Sequence, residues 1–146
     1  MTLKAILKHK PSGFIAVGPD ARISEVVAVL AEKHIGAVLV TESGKLVGIL
    51  SERDVVRSLA HKGAATLDMT AAMLMTKNPS TATPEHTVEQ AMGMMTDNRF
   101  RHLPIIENGE LAGLVSIGDV VKAVIEQSKH EVESLRTYVA GAPELA

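Results

Sequence analysis

Cysteine is absent from the 146 residues, which excludes disulfides, thiolate metal sites and a cysteine nucleophile. Tryptophan is absent too, and Phe14, Phe100 and Tyr138 are the only aromatic residues, too few to stack a run of bases. A formal charge of −2 and a pI near 6.3 leave no surplus of positive charge for a nucleic-acid backbone. No window approaches 18 unbroken apolar residues, and the basic opening MTLKAILKHKP carries too short an apolar run for a signal peptide. A soluble cytoplasmic protein is expected, with neither nucleic acid nor membrane as partner. The 11 glycines form neither a P-loop nor a G-x-G-x-x-G pattern. The six histidines (His9, His34, His61, His86, His102, His130) share no metal-ligand spacing, so no metal site is expected. No nucleophile lies beside a base in the sequence, so no catalytic residue is expected either.

What the sequence holds instead is a duplication. Sliding the chain by 65 residues pairs Pro19 with Pro84, Gly44 with Gly109 and Gly48 with Gly113. Ser51, Asp54, Val55 and Val56 then fall on Ser116, Asp119, Val120 and Val121, without a gap from Pro19 to about Leu59. Two copies are too few for a solenoid. In each copy, apolar spacing predicts a helix (Ile23, Val26, Val27, Leu30 and Ile35 in the first). Two strands follow, GAVLV and LVGIL or HLPII and ELAGLV, and then a helix opening at Ser51 or Ser116. A short extended piece precedes each unit, FIAV and STAT. One such unit cannot cover both faces of its sheet, and two can. The methionines at 69, 73, 75, 92, 94 and 95 read as adaptable core filler. The linker HKGAATLD carries no chemistry. An apolar stripe continues past the second copy through Val121, Val124, Ile125, Val132, Leu135 and Val139 to a stop at Gly141 and Pro143. A stripe that outlasts its domain needs a partner.

The repeated Gly-apolar-apolar-Ser-x-x-Asp, GILSERD and GLVSIGD, has two readings. Ser followed three residues later by Asp forms a capping box at a helix N-terminus. A carboxylate and hydroxyl at a strand-to-helix junction also suit a vicinal diol such as that of a ribose. The residues alone leave both open.

Together with RHLPII at Arg101–Ile106 and MTKNP at Met75–Pro79, the duplicated motif resembles the CBS-domain family. The whole chain looks like one stand-alone CBS pair, a Bateman module, over about residues 2 to 126. The resemblance implies an α/β (α+β) fold of tandem β-α-β-β-α repeats, with two three-stranded sheets packed about a pseudo-two-fold axis and helices outside. It divides the chain into repeat 1 with the N-terminal helix (1–64), repeat 2 (65–126) and a C-terminal helical extension (127–146). It further implies crosswise nucleotide-binding clefts in which each Asp meets a ribose and the Ser assists. The first would combine Ser51, Arg53 and Asp54 with Ser80, Thr81, Ala82, Arg101, His102, Leu103 and Pro104. The second would combine Ser116, Ile117 and Asp119 with Ile15, Ala16, Val17, Gly36, Ala37 and Val38. Arg101, His102 and Arg53 have Gly36, Ala37 and Gly118 as repeat mates, so phosphate should prefer the first cleft. The function implied is a non-catalytic sensor module for an adenine nucleotide, AMP first and ADP, ATP or NAD after it. Such a module would act as a homodimer on an unidentified effector protein. The alternative is a structural dimerisation module with degenerate pockets; an enzyme acting on a nucleotide ranks third.

Overall fold

The computed structural model describes residues 1–10 and 13–140. In the first unit β1 (Ala16–Val17) leads into α2 (Ile23–Lys33), β2 (Ala37–Glu42), β3 (Lys45–Ser51) and α3 (Glu52–Lys62). The second unit follows with α5 (Val88–Asn98), β5 (His102–Glu107), β6 (Glu110–Ser116) and α6 (Ile117–Ala140). Between them lie a 3₁₀ turn (Gly63–Asp68), α4 (Ala71–Leu74) and β4 (Thr76–Lys77), and α1 (Leu3–His9) opens the chain. Both hairpins close through paired positive-φ residues, Ser43–Gly44 and Asn108–Gly109, the geometry of a type I′ turn. Each carries a register shift at the same repeat position, between Val40 and Thr41 and between Ile105 and Ile106.

Alternation along β2 divides the core. Val38 and Val40 pack with Ile23, Val26 and Leu30 beneath their own helices. Ala37 and Leu39 join Leu114, Leu46, Ile49, Leu111 and Phe14 in a cluster shared with the other unit. The second unit repeats the inner layer with Val88, Ala91, Met95, Leu103, Ile105, Val115 and Val120. Residues three and four apart on α2 and α5 bury one side of each helix.

The mixed α/β architecture in two units matches expectation, but the sheets do not hold three strands each. The first has four strands in the order β1-β2-β3-β4 and the second has two. Proline explains the missing strand. In the first unit Leu39 N–H donates to the Ile15 carbonyl at 2.9 Å and β1 pairs in parallel with β2. The repeat mate of Leu39 is Pro104, which has no N–H to donate. Only an isolated bridge between Ala82 and Ile105 survives there. The fourth strand, unforeseen from the sequence, pairs Gly48 with Lys77 and Ile49 with Thr76 at the edge of the first sheet.

Two short helices change partners. Although α1 precedes the first unit, Leu3 is fully buried in the core of the second, with Ile6 and Leu7 packed against that core. Leu3 and Lys4 N–H groups donate to the His86 and Pro84 carbonyls, both at 2.9 Å. Conversely α4 gives its buried Ala71, with the flanking Met69 and Met75, to the first core. The two segments are themselves a repeat in a shifted register: Met1-Thr2 and Pro11-Ser12 match Met69-Thr70 and Pro79-Ser80 at 68 residues. A Cβ on Gly48 would run into the Met75 side chain, and one on Gly113 into Leu7. The Met75 and Leu7 side chains thus sit against the strand backbone at the two equivalent glycines.

The linker is not a loose tether: Thr66, fully buried in the 3₁₀ turn, shares a 2.8 Å hydrogen bond with Ser58 of α3. Met95, Met94, Met69 and Met75 do serve the cores, but Met92 is 36% exposed and Met73 68%, the latter because α4 is a single turn with only one inward face. Helix α6 continues through Ala140, about 36 Å in all, and the expected stop at Gly141 and Pro143 lies outside the described residues. Among the described residues no helix is long and apolar enough to cross a membrane.

Candidate functional site

Both strand-to-helix junctions carry the same capping box. Ser51 caps α3 with its hydroxyl accepting from Asp54 N–H at 3.3 Å, while Asp54 Oδ2 accepts from Ser51 N–H at 2.9 Å. Ser116 and Asp119 repeat the box at 3.1 and 2.9 Å. The capping reading therefore holds in both copies. It does not exhaust the carboxylate, because every hydrogen bond Asp54 accepts among the described residues falls on Oδ2. Oδ1 is left for another donor.

Asp54 lines a cleft of about 370 Å³. Ser51 and Arg53 from the first unit meet Ser80, Arg101 and His102 from the second there, joined by Pro79 and Asn78 at the entry to the second unit. Four of the expected residues stand elsewhere. Ala82 and Leu103 are buried in the second core, where their apolar side chains are required. Pro104 is buried, its carbonyl accepting from Ala82 N–H at 3.0 Å. Thr81 lies by a separate shallow opening between the two hairpin turns.

Sequence reasoning missed Arg57, one turn along α3 from Asp54, and Arg99, the left-handed residue that ends α5 at φ 56°. With them the cleft is lined by four arginines, Arg53, Arg57, Arg99 and Arg101, and by Glu52 and Asp54. The helical i, i+3 spacing from Asp54 to Arg57 was the available signal.

His102 stands between the two halves. A Cβ on Gly36 would lie 3.2 Å from its Nε2, so Gly36 belongs to this cleft rather than the second. Burial, and after it the charge of Lys10, hold the imidazole below its ordinary pKa against the opposite pull of Glu52 and Asp119.

The second junction differs. Ala37 and Val38 are buried, in the inter-unit cluster and the first core, because β2 is covered on both faces. Ile15 and Val17 pack on the first core and Ile117 on the second. The Ile15 carbonyl is taken up by Leu39 N–H in the parallel pairing of β1 with β2. Asp119 Oδ2 accepts from the Lys10 ammonium at 2.9 Å, and the same ammonium donates to the Leu114 carbonyl. Burial pushes the Asp119 carboxyl up, but the Ser116 N–H and Lys10 outweigh it and hold the group below the usual carboxylate value. Among the described residues no cluster of His, Asp and Glu could hold a metal ion.

Comparison with known proteins places this architecture. The CBS domain family model matches residues 5–61 and again 71–126. The crystal structure of the CBS-domain containing protein ATU1752 from Agrobacterium tumefaciens is 46% identical and superposes with a TM-score of 0.81, covering 84% of this chain and 92% of that one. The CBS domain protein PAE2072 from Pyrobaculum aerophilum, complexed with AMP, is 27% identical at a TM-score of 0.72, over 82% of this chain and 89% of that one. A mitochondrial CBS domain-containing protein, CBSX3 of Arabidopsis thaliana, is 36% identical over 84% of this chain, which spans 62% of that relative's length. The next curated relative, from Acidianus ambivalens, is spanned to 66%. Two matches in tandem, each carrying its own capped Ser-x-x-Asp junction, establish that the chain belongs to the CBS-domain family.

Proposed function

We propose that the chain is a non-catalytic regulatory module whose first cleft binds an adenosine phosphate, AMP foremost, with ADP, ATP or NAD held by the same contacts. The observation that carries this reading is one cleft lined by four arginines and by a carboxylate with an oxygen to spare. An ionised carboxylate accepts two hydroxyls of a ribose, and guanidinium groups take phosphate in bidentate pairs. A volume near 370 Å³ is within the range of small-molecule sites. The relative from Pyrobaculum aerophilum complexed with AMP supports the ligand class. Binding across both units would favour one arrangement of the pair, which an effector protein outside this chain then reads.

The test is thermal. A ligand at a hundred times its dissociation constant stabilises the fold by about 2.7 kcal/mol, roughly 5 to 10 °C in melting temperature for a chain of this size. AMP should produce that shift and GMP little. Arg101→Ala should weaken AMP about 10-fold or more while leaving adenosine within about twofold, because the charge-assisted bonds go to phosphate. A flat response to every adenosine compound would refute the reading.

A dimerisation role is favoured by a different observation. Val56 and its repeat mate Val121 are 62% and 45% exposed, and the stripe continues along α6 through Ile125, Val132, Leu135 and Val139. A second copy of the chain covers such a repeated face most simply, since a two-fold operator presents the same patch twice. Truncation after Gln127 should raise the dimer dissociation constant, read by sedimentation equilibrium. An unchanged dimer would assign the extension to another partner.

A further inference from the structure

The second junction carries a group with no counterpart in the first. Lys10 follows α1, and α1 is fixed to the second unit by the buried Leu3, by Leu7 over Gly113 and by backbone bonds to Pro84 and His86. From that anchored base the Lys10 ammonium reaches Asp119 Oδ2 at 2.9 Å and the carbonyl of Leu114. Both side chains are largely covered, at 25% and 28% exposure. In the shifted register of 68 residues, the mate of Lys10 is Asn78, which lines the first cleft and carries no charge. Among the described residues Oδ1 is unengaged in both carboxylates, and what separates the junctions is the ammonium from which Asp119 Oδ2 accepts and Asp54 does not.

We propose that Lys10 is a tethered plug of the second cleft: its ammonium holds the carboxylate that a ribose diol would need, so the ligand-free chain offers one adenosine site. The proposal rests on the adenosine-phosphate reading of the first cleft. A diol arriving at Asp119 must break a partly buried, charge-assisted contact before forming its own. Asn78 imposes no such requirement at Asp54. The plug is a feature of the fold rather than of the motif, because both junctions have the same Ser, the same Asp and the same capping box. Removing the charge opens the cleft, and so does any partner that draws α1 off the second unit. The Lys10 charge also acts, after burial, to hold down the pKa of His102, which lines the first cleft.

Calorimetric titration of the full chain with AMP tests this. Wild type should show one site per chain, with any second site too weak to titrate alongside it. Lys10→Met, which keeps the aliphatic stem, should reveal a second site strengthened about 10- to 100-fold, the weight of one charge-assisted hydrogen bond. Lys10→Gln should do the same, which separates loss of charge from any folding defect of one variant. Adding Asp119→Ala to Lys10→Met should return the stoichiometry to one. Independently of ligand, the Asp119 carboxyl followed by NMR should titrate at higher pH in Lys10→Met than in wild type. Two equal sites in wild type would overturn the plug. So would a single site of unchanged affinity in both Lys10 variants, or an unmoved Asp119 titration, even with the first cleft still binding. No binding by any of the proteins would overturn the functional reading and the plug with it.

Discussion

Asp54→Ala is expected to lower AMP affinity about 10- to 100-fold, the cost of losing hydrogen bonds to a charged acceptor. The same substitution removes half of a capping box, so it should also lower folding stability by about 0.5 to 2 kcal/mol. The two effects separate because the box is duplicated and the ion pair to Lys10 occurs at Asp119 alone. Asp119→Ala loses the same cap at the start of α6 and should show a comparable stability loss. Its carboxylate is engaged by Lys10, so the affinity of the first cleft should change little. Calorimetry on both variants, at a temperature where each is folded, distinguishes the cases. Equal AMP affinity in wild type and Asp54→Ala would end the ribose assignment, whatever the stability data show.

Leu3→Ala should destabilise the chain by about 2 to 5 kcal/mol, the range for deleting a fully buried leucine and leaving a cavity. A residue three positions from a chain start would ordinarily cost almost nothing, because termini fray. Here Leu3 is wholly covered and joins Val88, Ala91, Leu103 and Val115 in one cluster. Three backbone hydrogen bonds also bind the segment to the second unit: from Leu3 to His86, from Lys4 to Pro84 and from Val88 to Met1. At about 2 to 4 °C per kcal/mol, the melting temperature should fall by roughly 5 to 20 °C. A change under about 1 °C would show that α1 is dispensable to the second core. The contrast is Leu67→Ala, at 37% exposure in the 3₁₀ turn, which should cost far less.

Much of this molecule was legible in the linear sequence, for a reason that the elements share. Apolar spacing places α2 and α5, and β-branched runs place β2 and β3. All of these depend on residues within a few positions of one another. The duplication fixed the pairing of the two units, and the charges at Arg53 and Arg101 against Gly118 and Gly36 marked the first cleft as the cationic one. Tertiary structure alone decided the rest. Asp119 and Lys10 are 109 residues apart, and no local periodicity links them. They meet because Leu3 and Leu7 carry α1 onto the far unit, and burial of apolar surface is non-directional enough that sequence order does not choose its partner. The third strand of the second sheet failed for want of one N–H at Pro104. That consequence was in the sequence, but it acquired meaning only once the parallel partner of that strand was known.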